Sequence, residues 1–583
     1  MTDIEDSIEY SLNQNAVIFI NELLNMPYTS YENNEALTKS LRILSRKYKT
    51  IVSKKELSET YLKLSNENPK GYPKNHPLRF AVMKKAIRSS SGIVNISVVT
   101  PPDQFSCKFN CHFCPNEPGM PRSYLSNEDA VTRAASVDFN TVKQVHKRFD
   151  NLEKNGHPID KIEFRVLGGT FSCYDKEIID EFIRDLYYSA NTYYDNRIEK
   201  YSIAREQELN INSQIHVVGL GVETRPDMIN LNEIIRFRNY GVTRVELGVQ
   251  HTNDDILRKV NRGHLVKHSK DSIKLLKEYG FKIEIHIMAD LPNSSPTLDK
   301  ECYEKVLKSD PDLIPDYMKD YPCLDVDFTE IKKWKANGKW KPYAEIDNGK
   351  HLHNLLIYRQ SITPVWVRVN RIQRDFRPSC NGVLGFTSNT LETNLGDVVT
   401  RKAEALGIYC KCIRCSEIKH EKFNIKDVTY KIYNFNASGA QEYFICVVIE
   451  HKIRDILLGF IRLRFCNSLN DSVIPELVGK TAMVRELHVY GQVNSVGTHL
   501  NSGAQHRGIG KQLMKAAETL AIKHNYEKLA VISGIGVRGY YAKLGYSLEG
   551  SYMIKHLNPD NIYRNILLII ILALLSFICH RNM

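Results

Sequence analysis

Cys107, Cys111 and Cys114 form a Cys-x3-Cys-x2-Cys run. Three thiolates at that spacing can hold three irons of a 4Fe–4S cluster and leave the fourth iron open to an external ligand. A structural zinc knuckle is the competing chemistry, but such sites close with four ligands, and this run offers three plus an awkwardly placed His112. A second group, Cys410, Cys412 and Cys415, supplies three thiolates within reach of one ion. A tetrahedral zinc site there needs a fourth ligand, with Cys380 and His420 as candidates; three thiols without a metal is the plainer alternative. The scattered thiols at 173, 302, 323, 446 and 466 read as small buried hydrophobes.

An open iron corner is where S-adenosylmethionine binds in radical enzymes, and the surrounding elements suit that use. Ser89-Ser-Ser-Gly92 leads into the β-branched run 93–100, a strand that delivers the cysteine loop. Phe164-Arg-Val-Leu-Gly168-Gly169-Thr170, Gly221-Val-Glu223-Thr224-Arg225 and Arg244-Val-Glu246-Leu-Gly248-Val-Gln250 follow, each an apolar strand ending in small or charged residues. Helical periodicity lies between them, so the pattern predicts an α/β fold with a parallel sheet in an open or closed (β/α) barrel, its site at the strand C-termini. Near the C-terminus, Val484-Arg-Glu-Leu-His-Val-Tyr490 reads as a strand, followed by Gln505-His506-Arg507-Gly508-Ile509-Gly510. That run fits the Q/R-x-x-G-x-G/A signature of GNAT acetyltransferases: glycines let the backbone approach the pyrophosphate of coenzyme A at a helix N-terminus, here near Lys511. Tyr540-Tyr541-Ala-Lys-Leu-Gly545-Tyr546 matches the late helix-to-strand step of the same fold.

Taken together the chain resembles the catalytic subunits of Elongator, radical S-adenosylmethionine and acetyltransferase proteins that modify wobble uridine in transfer RNA. The resemblance is carried by Ser89 to Val94, the cysteine run, Leu167-Gly-Gly-Thr-Phe171, Val222 to Asp227, Arg244 to Gln250, His286 to Pro292, Cys412-Ile-Arg-Cys415, Arg485 to Gly491 and Val531 through Tyr546. Two features depart from the family: Cys107 and Cys111 are closer together than usual, and Ala289 stands where proline commonly precedes Asp290.

The resemblance implies a partial radical barrel joined through a zinc-binding linker to a GNAT unit, with a helical basic region in front. The corresponding divisions are 1–88 for transfer RNA binding, 89–375 for the radical unit, 376–430 for the linker and 431–558 for the acetyltransferase. It implies that a 5′-deoxyadenosyl radical takes hydrogen from the acetyl methyl of acetyl-CoA, and that the acetyl carbon adds to C5 of uridine 34, leaving a carboxymethyl group. Cys107, Cys111 and Cys114 would ligate the cluster. Gly168 and Gly169 would meet the methionine amino group, and Glu223, Arg225, Glu246 and Gln250 would face the radical site, with simple turns and ion pairs as the bland readings. Lys319 would help hold acetyl-CoA. Glu486, Leu487, His488 and Val489 would lie beside the thioester, Gln505 through Gly510 would take the pyrophosphate, and Tyr540 and Tyr541 would close the acyl site or protonate the leaving thiolate. A protein lysine acetyltransferase with a structural cluster is the rival function. Accessory subunits of the Elongator type are expected partners.

Composition bounds these readings without carrying them. The 583 residues have net charge +12 and are 42% hydrophobic, enough for several domains with real cores and unlike a disordered or collagenous chain. Basic residues gather early, at Lys39, Arg42, Arg46, Lys47, Lys49, Lys54 and Lys55, then Lys70, Lys74, Arg79, Lys84, Lys85 and Arg88, with Tyr48, Tyr61 and Tyr72 interleaved. Phosphates could be tracked and bases stacked on such a surface, or it could be a solvated amphipathic helix. The acidic start Met1-Thr-Asp-Ile-Glu-Asp6 lacks a secretory signal, so the thirteen cysteines are expected in a reducing compartment. Residues 564–581 hold an apolar run over 566–579 flanked by arginines, read as a tail anchor that leaves the catalytic units on the cytoplasmic face of a membrane.

Overall fold

The computed structural model describes residues 13–73, 76–83, 91–102, 107–374, 394–419, 423–466, 469, 472–490 and 508–557. Three amphipathic helices lead: α1 (Gln14–Asn25), α2 (Asn34–Tyr48) and α3 (Lys54–Glu67). Asn13 and Asn33 cap the first two, and Ser53 with Glu56 makes a reciprocal capping box on the third. Their apolar stripes meet in a small core of Phe19, Leu23, Leu37, Leu44, Leu57 and Tyr61, leaving Lys39, Arg42, Arg46, Lys47 and Lys49 exposed. Tyr61 is fully buried and donates its hydroxyl to the Pro73 carbonyl, while Tyr48 and Tyr72 pack on the same core. The expected stacking role therefore fails for Tyr61, because its ring is used to pack the helices.

Seven parallel strands follow in simple order: β1 (Val94–Val99), β2 (Lys161–Leu167), β3 (His216–Thr224), β4 (Arg244–Gln250), β5 (Lys282–Ile287), β6 (Tyr317–Asp320) and β7 (Arg368–Ile372). The sheet is curled and open, a partial barrel, as expected from strand and helix alternation. Period-two patterning sorts its two faces. Ile96, Phe164, Val166, Val245, Ile283, Ile285 and Met318 point outward into one large apolar core under the helices. In-register neighbours on the inner face are Glu223, Glu246, Glu284, Tyr317 and Arg368 along one row, and His286 with Lys319 along another. Charge thus lines the interior along the strands, not only at their C-terminal ends.

A second, mixed sheet of seven strands runs β13-β14-β12-β11-β10-β9-β8, built from β8 (Val428–Ala437), β9 (Ala440–Ile449), β10 (Ile456–Phe465), β11 (Thr481–Val489), β12 (Lys528–Val531), β13 (Ser547–Glu549) and β14 (Tyr552–His556). The helix Ile509–Lys523 covers it. Where the sheets meet, the apolar core is continuous: Met483, Ile532, Ile535 and Tyr552 belong to the cluster that fills the outside of the first sheet. Arg485 donates to the Asp316 carboxylate at 3.0 Å, to Glu442 at 3.0 Å and to the Phe281 carbonyl at 2.7 Å. Arg462 bridges Asp316 and Glu486, and Arg464 pairs with Glu278 and Glu442, all of them buried. A β-carbon on Gly534 would stand 2.1 Å from the Val218 carbonyl oxygen, so the turn before the one-turn helix Ile535–Val537 rests directly on the backbone of β3.

No helix among the described residues is long and apolar enough to cross a membrane. That corrects the expectation of a membrane anchor, with its membrane partner and location: a fourteen-residue run, were it helical, would reach about 21 Å, short of the roughly 30 Å hydrocarbon layer. The run 566–579 itself lies outside the described residues.

Candidate functional site

A cavity of ≈ 640 Å³ runs along the inner face of the first sheet and is lined by Glu223, Gln250, His286, Lys319, Tyr321 and Cys114, among others. Each of these first four sits at or near the end of a different strand, so the sheet's register fixes their spacing. Lys319 forms an ion pair with Glu246 and lies 3.6 Å from Glu223. Arg165 reaches Glu246 at 2.6 Å and also pairs with Glu284; His286 Nε2 lies 3.2 Å from Glu246. Burial raises the Glu246 carboxyl, but Arg165 and Lys319 outweigh it and hold the group well below the usual carboxylate range. Burial likewise opposes the Lys319 ammonium, and Glu246 reverses the effect, holding it above the ordinary lysine value. Glu223 accepts a 2.6 Å bond from the Tyr124 hydroxyl.

The cysteine loop lies beside this mouth. Buried Cys111 receives guanidinium N–H groups from Arg225 at 3.5 Å and Arg262 at 3.4 Å. Arg225 stacks over the Phe109 ring at 3.4 Å and is clamped by Asp227 at 3.0 and 2.9 Å. Cations around a ligand sulfur suit thiolates on a polyanionic iron–sulfur cluster, and the donor set fits one with an open corner. A hydrogen bond from Cys173, helped by Thr170 and opposed by burial, draws the Cys107 thiol down to about 5. Cys173, expected to be a buried hydrophobe, is in fact half-buried beside a cluster candidate; its sequence distance of 66 residues hid the pairing. Gly168 has φ +148, and a β-carbon there would stand 1.8 Å from the Thr100 hydroxyl, so only glycine fits this turn at the edge of the cavity.

On the other side of the same sheet's interior, toward the strand N-termini, a second cavity of ≈ 470 Å³ opens between the two sheets. Glu486, Leu487, His488, Val489, Gly508, Ile509, Gly510, Tyr540 and Tyr541 all line it. The N-terminus of the helix Ile509–Lys523 faces this space, with Gly508 in left-handed conformation just before it, which fits the pyrophosphate of a nucleotide thioester. Gln505, His506 and Arg507 lie outside the described residues. Burial raises Glu486, but Arg462 overrides it and keeps the carboxylate ionised; burial lowers His488 and keeps its ring neutral. Lys319, expected beside the coenzyme, lines the first cavity and not this one. The wall between the cavities is thin: His488 Nε2 donates to the Ser91 carbonyl at 3.1 Å, and Ser91 lines the first cavity. Tyr317, two residues before Lys319 on β6, donates its hydroxyl to Glu486.

The three sulfur ligand atoms of Cys410, Cys412 and Cys415 lie within 4.8 Å of one another, a geometry able to hold a metal ion. They pack against Val369 of β7, and Ile418 just beyond donates its N–H to Leu457 of β10 at 3.1 Å. The group thus sits at the junction of both sheets. Cys380 and His420, the candidate fourth ligands, lie outside the described residues. Arg165, Tyr124, Arg262 and Cys173 are site residues that sequence reasoning missed; the alternation in Lys161-Ile-Glu-Phe-Arg165 was the one signal that an arginine faced the interior.

Comparison with known proteins shows two family matches, the radical SAM superfamily over residues 102–295 and the acetyltransferase (GNAT) family over 413–546. The chain is 38% identical over 482 residues to the tRNA uridine(34) acetyltransferase of Dehalococcoides mccartyi (strain CBDB1), covering 82% of this chain and all of that one. It is 34% identical over 487 residues to Elongator complex protein 3 of Homo sapiens, covering 81% of this chain and 86% of the relative. A solved structure of the archaeal Methanocaldococcus infernus Elp3 lacking its N-terminus superposes with a TM-score of 0.67 at 32% identity, covering 80% of this chain and all of that one.

Proposed function

The chain belongs to the tRNA uridine(34) acetyltransferase family, and from that premise we propose that it builds a carboxymethyl group on C5 of the wobble uridine from acetyl-CoA. It is an enzyme of the radical SAM and GNAT acyltransferase class that acts on transfer RNA and uses an iron–sulfur cluster, S-adenosylmethionine and acetyl-CoA. The observation that carries the finer reading is the wall between the cavities, one hydrogen bond thick at His488 and Ser91. An acyl group seated beside Glu486 is thereby next to the space around Lys319, about two strand residues or ~7 Å along β6.

Cys107, Cys111 and Cys114 would hold the cluster, with Gly168, Gly169 and Gln250 around the sulfonium cofactor. When bound, that pair supplies a one-electron oxidant able to take hydrogen from an unactivated methyl group. Lys319, held charged by Glu246, donates N–H bonds to a carbonyl oxygen of the acyl group or the uracil ring. Arg165 and His286 fix Glu246, and Glu223 with Tyr124 borders the base. Arg225 orients Cys111 and offsets ligand charge. Gly508 to Gly510 receive the pyrophosphate. Tyr541 is buried, which raises its phenol, so it acts as an O–H donor toward the thioester sulfur; Tyr540 covers the entrance. Cys410, Cys412 and Cys415 hold zinc as a structural clamp, and the N-terminal region, through the exposed Lys39, Arg42, Arg46, Lys47 and Lys49, meets the transfer RNA backbone.

The test is an anaerobic incubation of reconstituted chain with acetyl-CoA, S-adenosylmethionine, a reductant and transfer RNA, followed by nucleoside mass analysis. Carboxymethyluridine that disappears with Cys111→Ala is the expected result. Acetylated protein lysine formed with no cluster requirement would replace this reading with the acetyltransferase alone.

A further inference from the structure

We infer that Phe328 is a stacking platform for the nucleobase beside the wobble uridine, a substrate-binding residue at the rim of the first cavity. It is the one exposed phenylalanine among the described residues, with 52% of its surface open. Its backbone is left-handed, with φ +61, a conformation that a bulky side chain adopts only under strain. Core packing does not account for that strain, because the ring belongs to no core. The neighbouring turns impose it. Asn116, two residues after Cys114, donates its N–H to the Phe328 carbonyl at 3.1 Å. Thr329 donates its hydroxyl to the Val326 carbonyl at 2.7 Å and accepts the Lys332 N–H at 3.3 Å, capping the helix Glu330–Ala336. Ile331 donates its N–H to the His112 carbonyl at 3.2 Å. The turn is therefore tied to the cysteine loop at two points. Val326 and Pro115 line the cavity, so the exposed ring stands at its edge.

The occupant follows from the reaction, and the inference rests on the reading of the chain as a carboxymethyluridine synthase. Glu223 and Lys319 line the cavity, so a uridine that reaches them has left the stack of its loop, and the adjoining base has lost a stacking partner. An aromatic ring at the rim restores that partner without reading sequence, since every base has a π-face. Charge favours a polyanion over an apolar protein surface here. Residues 332–341 hold five lysines, and while Lys332, Lys333 and Lys335 pair with Asp327, Glu330 and Asp325, Lys339 and Lys341 are exposed and make no ion pair among the described residues. Glycine would occupy the Phe328 position freely, so what the strain secures is the ring.

The test uses full-length chain and a transfer RNA anticodon stem-loop with an unmodified wobble uridine, carrying 2-aminopurine on one side of that uridine or the other. Stacking quenches 2-aminopurine. In complex with the unaltered chain one of the two RNAs is expected to stay quenched, and in complex with Phe328→Gly the same RNA is expected to brighten and to bind more weakly by about five-fold or more. The melting temperature of Phe328→Gly should hold or rise, because glycine relieves the backbone. Phe328→Trp is expected to keep both affinity and quench, and Phe328→Leu, equally apolar but without a π-face, to lose the quench. Equal affinity and equal fluorescence for Phe328→Gly and the unaltered chain overturn the inference in favour of a protein contact and leave the function of the cavity standing. A lowered melting temperature in Phe328→Gly also overturns it, since the ring would then be holding the fold. An unaltered chain that binds no transfer RNA overturns the functional reading, and this inference falls with it.

Discussion

Lys319 meets two carboxylates inside the first cavity, and removing its charge leaves Glu246 to Arg165 and His286. Loss of one preorganised donor at a reacting centre costs about 10² to 10³ in rate. Lys319→Met is therefore expected to lower carboxymethyluridine formation by about that factor while cluster absorbance is retained; Lys319→Arg is not expected to rescue, because a planar fork cannot replace a point charge between two acids. Full activity in the methionine variant would remove the lysine from the chemistry. Asp290 gives a pH signature. Burial pushes its carboxyl up to about 8 despite backbone N–H bonds from Tyr343 and Ala344. Its contribution to stability is whole below the unfolded value of 3.8 and is lost as pH rises through about 8. Asn tolerates the left-handed backbone there, so Asp290→Asn should show a flatter melting-temperature profile from pH 5 to 8 than the unaltered chain, and parallel profiles would refute the assignment. The cysteine run was legible in sequence because its three thiols are local. The Arg165–Glu246–Lys319 cluster was legible only as separate residues, since its partners are 73 and 81 positions apart and meet only through strand register.

Strand order in the first sheet follows chain order, which is why repeated strand and helix patterning predicted it without long-range information. The inward charge was harder to read: a sheet covered on its outer face and lining cavities on its inner face alternates, whereas ordinary buried parallel strands do not. Gly534 is another element-scale constraint. It was visible as part of a family-like stretch, but its reason, the close approach to the β3 backbone, exists only once both sheets are built. A methyl group at 2.1 Å from a backbone oxygen cannot be absorbed by a side-chain rotation, so Gly534→Ala should cost about 1–3 kcal/mol or more in urea unfolding. It should also loosen the seam, read as faster proteolysis within residues 508–557. An unchanged midpoint and cleavage pattern would mean the turn is free to shift.

Across the whole molecule, Asp316 is the hub at which Arg485 and Arg462 enter from the second sheet. Burial raises its carboxyl, but Arg485 and Arg462 prevail and hold it far below the usual range. Removing one partner of a buried ion pair costs about 3–5 kcal/mol because the other charge is left without compensation. Asp316→Ala is thus expected to destabilise both halves together, seen as a lowered single unfolding transition by tryptophan fluorescence and circular dichroism; two separated transitions would show that the halves fold independently. At the same scale, replacing Lys39, Arg42, Arg46, Lys47 and Lys49 by alanine should weaken transfer RNA binding and flatten its salt dependence by up to about 0.7–0.9 log units for each phosphate that is no longer neutralised, with little change in melting. A salt slope that stays the same would move the RNA surface elsewhere. The charge lattice at the seam also bears on descent. A lineage that dispensed with either reaction could not simply discard the corresponding stretch of gene, because the survivor would inherit orphaned guanidinium and carboxylate groups facing solvent through an exposed apolar patch. Loss of one chemistry is therefore expected to leave a silent domain retained as scaffold, with its reacting groups eroded and its seam preserved.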